Sequence, residues 1–200
     1  FPVCGGWIVG AGIALFYVAL ALYKGKKWGK PVAIGLLAVP AITGAYFSGP
    51  IMFFASSSAP IFVIVGLIGL IPYFTILLWG QGSAAEKTGR FFLFLMLGVT
   101  AAWSFSNGGS SLRMYWARPD TIPLDMSNYG FLLGIPVIWT GVAVAILAIP
   151  ILAARKDIGY WLAAISMTII LMGNLVLRVT HPTTKEFLIG IIMAVVTLIL

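Results

Sequence analysis

Residues 31–85 read PVAIGLLAVPAITGAYFSGPIMFFASSSAPIFVIVGLIGLIPYFTILLWGQGSAA, a run without one charged side chain. A bilayer hydrocarbon core about 30 Å thick is crossed by a helix of roughly 20 apolar residues. The run is therefore too long for one crossing and fits two. Pro50 and the Ser56-Ser57-Ser58-Ala59-Pro60 stretch mark the break between them, because proline and clustered serines punctuate helices. This predicts one span over 31–48 and another over 60–80. Upstream, an apolar segment over 5–23 ends at Tyr23 and is followed by the basic loop KGKKWGK, residues 24–30. Downstream, a polar hinge over 81–90 precedes a span at 91–106. Further spans are expected at 130–153, closed by Ala154-Arg155-Lys156-Asp157, and at 159–180, stopped by His181-Pro182. A seventh begins near Phe187. The fold class expected is all-α: a polytopic helical bundle of about seven transmembrane helices, forming a single domain over 1–200. The connection 107–129 is the long polar one, and its aromatics and prolines predict an ordered extracytoplasmic loop.

Composition agrees and excludes alternatives. Hydrophobic residues make up 61% of the chain and charged residues 8%, against about 45–50% and about 25% in soluble domains. The net charge of +7 comes from short basic clusters between apolar runs, a pattern of membrane topology rather than of nucleic-acid binding. Eight basic residues (Lys24, Lys26, Lys27, Lys30, Lys87, Arg90, Arg155 and Lys156) fall in loops after the first, third and fifth spans. Four (Arg113, Arg118, Arg178 and Lys185) fall on the other side. The positive-inside rule then puts the N-terminus outside the cytoplasmic (inner) membrane. The chain starts at Phe1 and reaches Leu200 within an apolar run. Both ends read as edges of a processed or trimmed chain, no cleavable signal peptide is expected, and an eighth span beyond Leu200 stays open. Gly6, Gly10 and Ala14 form a small-xxx-small series that predicts close helix packing in the first span. Trp7, Tyr23, Trp28, Trp79, Trp103, Tyr129, Tyr160 and Trp161 read as interfacial belts.

The chemistry is narrow. One cysteine and one histidine provide neither an iron–sulfur cluster nor a bis-histidine haem, and no metal is expected in this chain. The predicted spans hold no acidic residue, the last span has no lysine for a retinal Schiff base, and no hydrolase motif occurs. Two places carry unusual polarity. The connection 107–129 combines Arg113, Arg118, Asp120 and Asp125 with Tyr115 and Trp116. It reads equally as a partner-docking loop and as a self-packed cap. At the end of the sixth span, Asn174, Arg178 and His181 recur at i, i+4 and i+7 on one helical face. That face suits either a pocket for a quinone carbonyl or carboxylate, or an arginine reaching toward headgroups.

These two places also carry a resemblance. Arg113-Met-Tyr115, Asp120-Thr-Ile-Pro123 and Gly130-Phe-Leu132 resemble the Arg-Val-Tyr, Asp-Thr-Val-Pro, Gly-Phe-Phe series of the dimethyl sulfoxide reductase membrane-anchor family. Gly173-Asn-Leu-Val-Leu-Arg178 is similar to that family's Gly-Glu-Leu-x-x-Arg segment, and Ala19-Leu-Ala-Leu-Tyr-Lys24-Gly25 to the end of its first helix. The related polysulfide-reductase-type anchors share the general architecture. The resemblance implies a metal-free anchor that binds a quinol and passes its electrons to an iron–sulfur subunit, which feeds a molybdenum subunit. It implies that the 107–129 loop, including Trp116, Arg118, Asp120 and Asp125, faces the iron–sulfur partner. It implies that Arg113, Tyr115 and Arg178, with Asn174 and His181 beside them, lie near the quinone headgroup or the docking surface. The family's histidine after the second helix and its acidic residue near the third have no counterpart in Gly44-Ala-Tyr-Phe-Ser-Gly-Pro50 and onward. Two other readings therefore stay open. One is a small transporter or channel, with Pro40, Pro72, Pro136 and Pro150 opening its helices. The other is a non-catalytic accessory subunit of a larger membrane assembly.

Overall fold

The computed structural model describes residues 2–40, 59–79, 82–116 and 126–200. Every regular element among them is helical: α1 (Pro2–Tyr23), α2 (Gly29–Pro40), α3 (Ala59–Leu78), α4 (Ala84–Trp116), α5 (Met126–Ala153), α6 (Asp157–Thr180) and α7 (Lys185–Ile199). Three stretches, Ala84–Trp116, Tyr129–Ala153 and Asp157–Thr180, are long and apolar enough to cross a membrane. The expected span boundaries agree with these helices to within a few residues, except at α4. The part of the second span beyond Pro40 lies outside the described residues.

At α4 the structure corrects the expectation. The helix has 33 residues, about 50 Å at 1.5 Å per residue. It begins within the supposed hinge and continues through 107–116, which had been read as the start of the long loop. The run Asn107-Gly-Gly-Ser-Ser111 looks like a helix breaker. Its side chains are nonetheless taken into the bundle: Asn107, Gly108 and Ser111 are buried, and the Gly108 backbone lies against the indole of Trp139 on α5. Packing outweighs the weak local preference of such residues. Residues 126–129 likewise belong to α5. The connection narrows to 117–125, outside the described residues.

The core is built around α5 and α6, an antiparallel pair joined by a tight turn. Lys156 N–H donates to the Ile151 carbonyl (3.3 Å) and Arg155 N–H to that of Leu152 (2.9 Å). This is a Schellman closure, with Arg155 at φ 56° where glycine is usual. Gly25 closes α1 in the same way at φ 68°. Along the pair, glycines bring backbones together. A methyl at Gly141 would lie 3.0 Å from the Ser166 carbonyl oxygen, and one at Gly159 2.6 Å from the Leu152 nitrogen. Small residues at helix contacts are how helices associate where no hydrophobic drive separates helix from solvent. Gly6 and Gly10, expected to pack closely, have nothing within 4 Å of such a methyl and border an apolar groove against α2 and α5.

α5 buries Phe131, Ile138, Ala145 and Ile149 completely, yet its outer face carries Leu133 and Leu147, each 62% exposed. A helix of a water-soluble domain would be polar on that side. α3 and α5 run through Pro72, Pro136 and Pro150 without interruption, so helices broken at these prolines, as the transporter reading supposed, do not occur.

Candidate functional site

Polar groups gather at two levels. The first is a buried node where α4, α6 and α7 meet. Asn107 Nδ2 donates to Asn174 Oδ1 (2.9 Å) and to the Glu186 carbonyl (3.2 Å). Asn174 Nδ2 donates back to the Ile170 carbonyl (2.9 Å). Trp103 Nε1 donates to the same Glu186 carbonyl (3.1 Å), which lies in the first turn of α7 and has a second lone pair to offer beside its helical bond. Gly190 makes room for Asn174, since a methyl there would fall 2.5 Å from Oδ1. Deeper along α4 and α7, the hydroxyls of Thr100 and Thr197 share a hydrogen bond of 3.0 Å. Asn174 and Thr100 are fully buried, so each bond made here spares a desolvated polar group.

The anticipated residues fall around this node, but not as one open pocket. Asn174 is committed to Asn107 and Ile170. The half-buried Arg178 guanidinium donates to the carbonyls of Pro182 and Thr184 (3.2 Å for the latter), pinning the turn between α6 and α7. His181 caps α6, with its N–H on the Leu177 carbonyl. Its ring lies 4.0 Å from that of Phe131, and its Nδ1 is 2.9 Å from the Thr180 hydroxyl. Tyr115 is half-buried against the core, while Arg113 and Trp116 at the end of α4 are exposed. Arg118, Asp120 and Asp125 lie outside the described residues. Asn107, Thr100 and Thr197 join the node without having been read as site residues, and Trp103, read as part of an interfacial belt, donates into it. Their one visible signal is the polar series Thr100, Ser104, Asn107, Ser111 at helical spacing, masked by reading Asn107 as a loop residue.

The second level is the opposite end of the bundle. Lys30 Nζ donates to the Trp79 carbonyl at the end of α3 (2.5 Å), a favourable position for a cation. Glu86 Oε1 lies 3.6 Å from Arg155 and 4.0 Å from Arg90. Burial, then the neighbouring charges of Arg90 and Arg155, hold the Lys30 amine below the usual lysine value of 10.5. These contacts join the start of α2, the end of α3, the start of α4 and the end of α5. The basic loops grouped on one side from sequence thus meet at one end of the molecule.

The chain matches no protein-family model, no curated protein and no solved structure. Its role rests on its own residues.

Proposed function

We propose that this chain is an integral subunit of the cytoplasmic (inner) membrane, its seven helices crossing the bilayer with the N-terminus outside, and that it anchors a multisubunit respiratory redox complex. The observation carrying this reading is how the polarity is distributed. Apolar side chains cover the outward faces of α5, α6 and α7, as Leu147, Val179 and Ile192 illustrate. The interior polar groups Asn107, Asn174 and Glu186 O bind one another. Charge is left to the two ends. Such an interior favours a rigid anchor over a substrate path, because pathways through a membrane are marked by ionisable groups or unwound backbone facing the bundle. α1 and α3, of 22 and 20 residues, are also long enough to cross.

In this reading, exposed Arg113 and Trp116 contribute to the surface that receives an iron–sulfur partner, with Arg118, Asp120 and Asp125 next in the chain. A quinol headgroup, where the complex uses one, lies near Tyr115 and the half-exposed Arg178. Gentle detergent extraction from native membrane, with mass spectrometry of co-purifying chains and quinone extraction, tests it. Recovery of iron–sulfur and molybdenum subunits is expected. Recovery of other membrane chains alone moves the role to an accessory subunit. Recovery of a solitary monomer without quinone overturns the anchor.

A further inference from the structure

We propose that the cleft between Lys30, Arg90 and Arg155 is a binding site for the phosphate of an anionic phospholipid headgroup. The proposal rests on the membrane reading above. Three observations carry it.

The first is charge in excess. Among the described residues at this end of the bundle stand Lys24, Lys26, Lys27, Lys30, Lys87, Arg90, Arg155 and Lys156, against the carboxylates of Glu86 and Asp157. Within the cleft, the Glu86 carboxylate lies within 4.0 Å of both arginines, while Lys30 donates to a neutral carbonyl. The second is construction. Leu77, Leu78 and Trp79 of α3 wall the cleft opposite Glu86, Lys87, Arg90 and Arg155, so cations from the ends of α2, α4 and α5 converge beside the apolar end of α3. Its interior, about 10 Å³, admits a water or one phosphate oxygen. The headgroup therefore lies across the mouth, within reach of the guanidinium forks. The third is level. Tyr23, Trp28, Trp79, Tyr160 and Trp161 are all more than half exposed and ring the same end, where aromatic belts mark the headgroup region. A basic pocket between helices at headgroup level recognises anionic lipid, whose acyl chains then run down the apolar face of α3.

The test uses the whole chain in nanodiscs, followed by native mass spectrometry of retained lipid. Incorporation into both phosphatidylcholine and phosphatidylglycerol discs is expected, with selective retention of phosphatidylglycerol. A charge-assisted hydrogen bond made to the phosphate in the cleft is stronger than the screened attraction of an exposed loop lysine. Lys30→Gln with Arg90→Gln should therefore cut retention by more than tenfold, and Lys24→Gln, Lys26→Gln, Lys27→Gln together far less. Equal losses from the two sets would show diffuse attraction and overturn the site. So would equal retention of both lipids by the unaltered chain, a measurement that does not depend on a variant folding. Displacement of the lipid by millimolar inorganic phosphate would assign the cleft to a free anion and overturn the lipid. Failure to enter discs of either kind would instead reject the membrane reading itself.

Discussion

Asn107 shows what one misplaced residue hides. Flanked by two glycines and two serines it reads as the opening of a loop, yet it is buried and its amide joins three helices. Hydrogen bonds between membrane helices average about 0.6 kcal/mol and reach about 1.7. An Asn107→Ala and Asn174→Ala double-mutant cycle, measured by unfolding in mixed micelles, should give a coupling in that range. Additive losses would dissolve the pair. Arg178 was legible as a polar residue needing a partner, but not which partner. Its carbonyl acceptors lie four and six residues on, in a turn whose path the sequence leaves open. Lys30 carries a pH dependence of defined sign. Its folded pKa is lowered, so below that value the charged amine is an unfavourable guest in the folded state. Its contribution to stability improves as pH rises through the lowered pKa toward 10.5. Arg90→Gln removes one repelling charge and should raise the Lys30 pKa, read by NMR of the dimethylated amine. An unmoved titration would leave burial and Arg155 to set it.

Among the elements, the α5–α6 pair decides the fold. Gly141 and Gly159 face backbone atoms that no rotamer change can withdraw. Gly141→Ala and Gly159→Ala should each cost about 1–3 kcal/mol, the usual range for overpacking. Gly6→Ala and Gly10→Ala, with open space around them, should be close to neutral. Thermal or denaturant unfolding of the four variants checks the contrast. The small-xxx-small spacing of α1 was visible in sequence and the α5–α6 contact was not, because spacing identifies a face that can approach another and only the partner's position shows whether it does. The continuity of α4 has its own test. Ser110 is exposed, so Ser110→Pro probes backbone alone. Within a helix it should cost about 3 kcal/mol, whereas a loop would absorb it.

For the molecule as a whole, the two ends are chemically unlike. With Cys4→Ser as background, Lys26→Cys and Trp116→Cys should be labelled by an impermeant maleimide from opposite faces of the membrane, Lys26→Cys from the cytoplasmic face. Labelling of both from one face would refute the seven-crossing arrangement. The helical class and most helix boundaries were determined by the sequence, because apolar length and flanking charge act locally and need no knowledge of neighbours. So was the grouping of basic loops, since alternate loops of an up-and-down bundle share an end. Only the tertiary structure decided that 107–116 stays helical, that Asn174 meets Asn107, and that Lys30, Arg90 and Arg155 meet around Glu86. Each of these depends on atoms brought together from distant parts of the chain. In a bundle whose helices are apolar on every side, periodicity does not say which face turns inward.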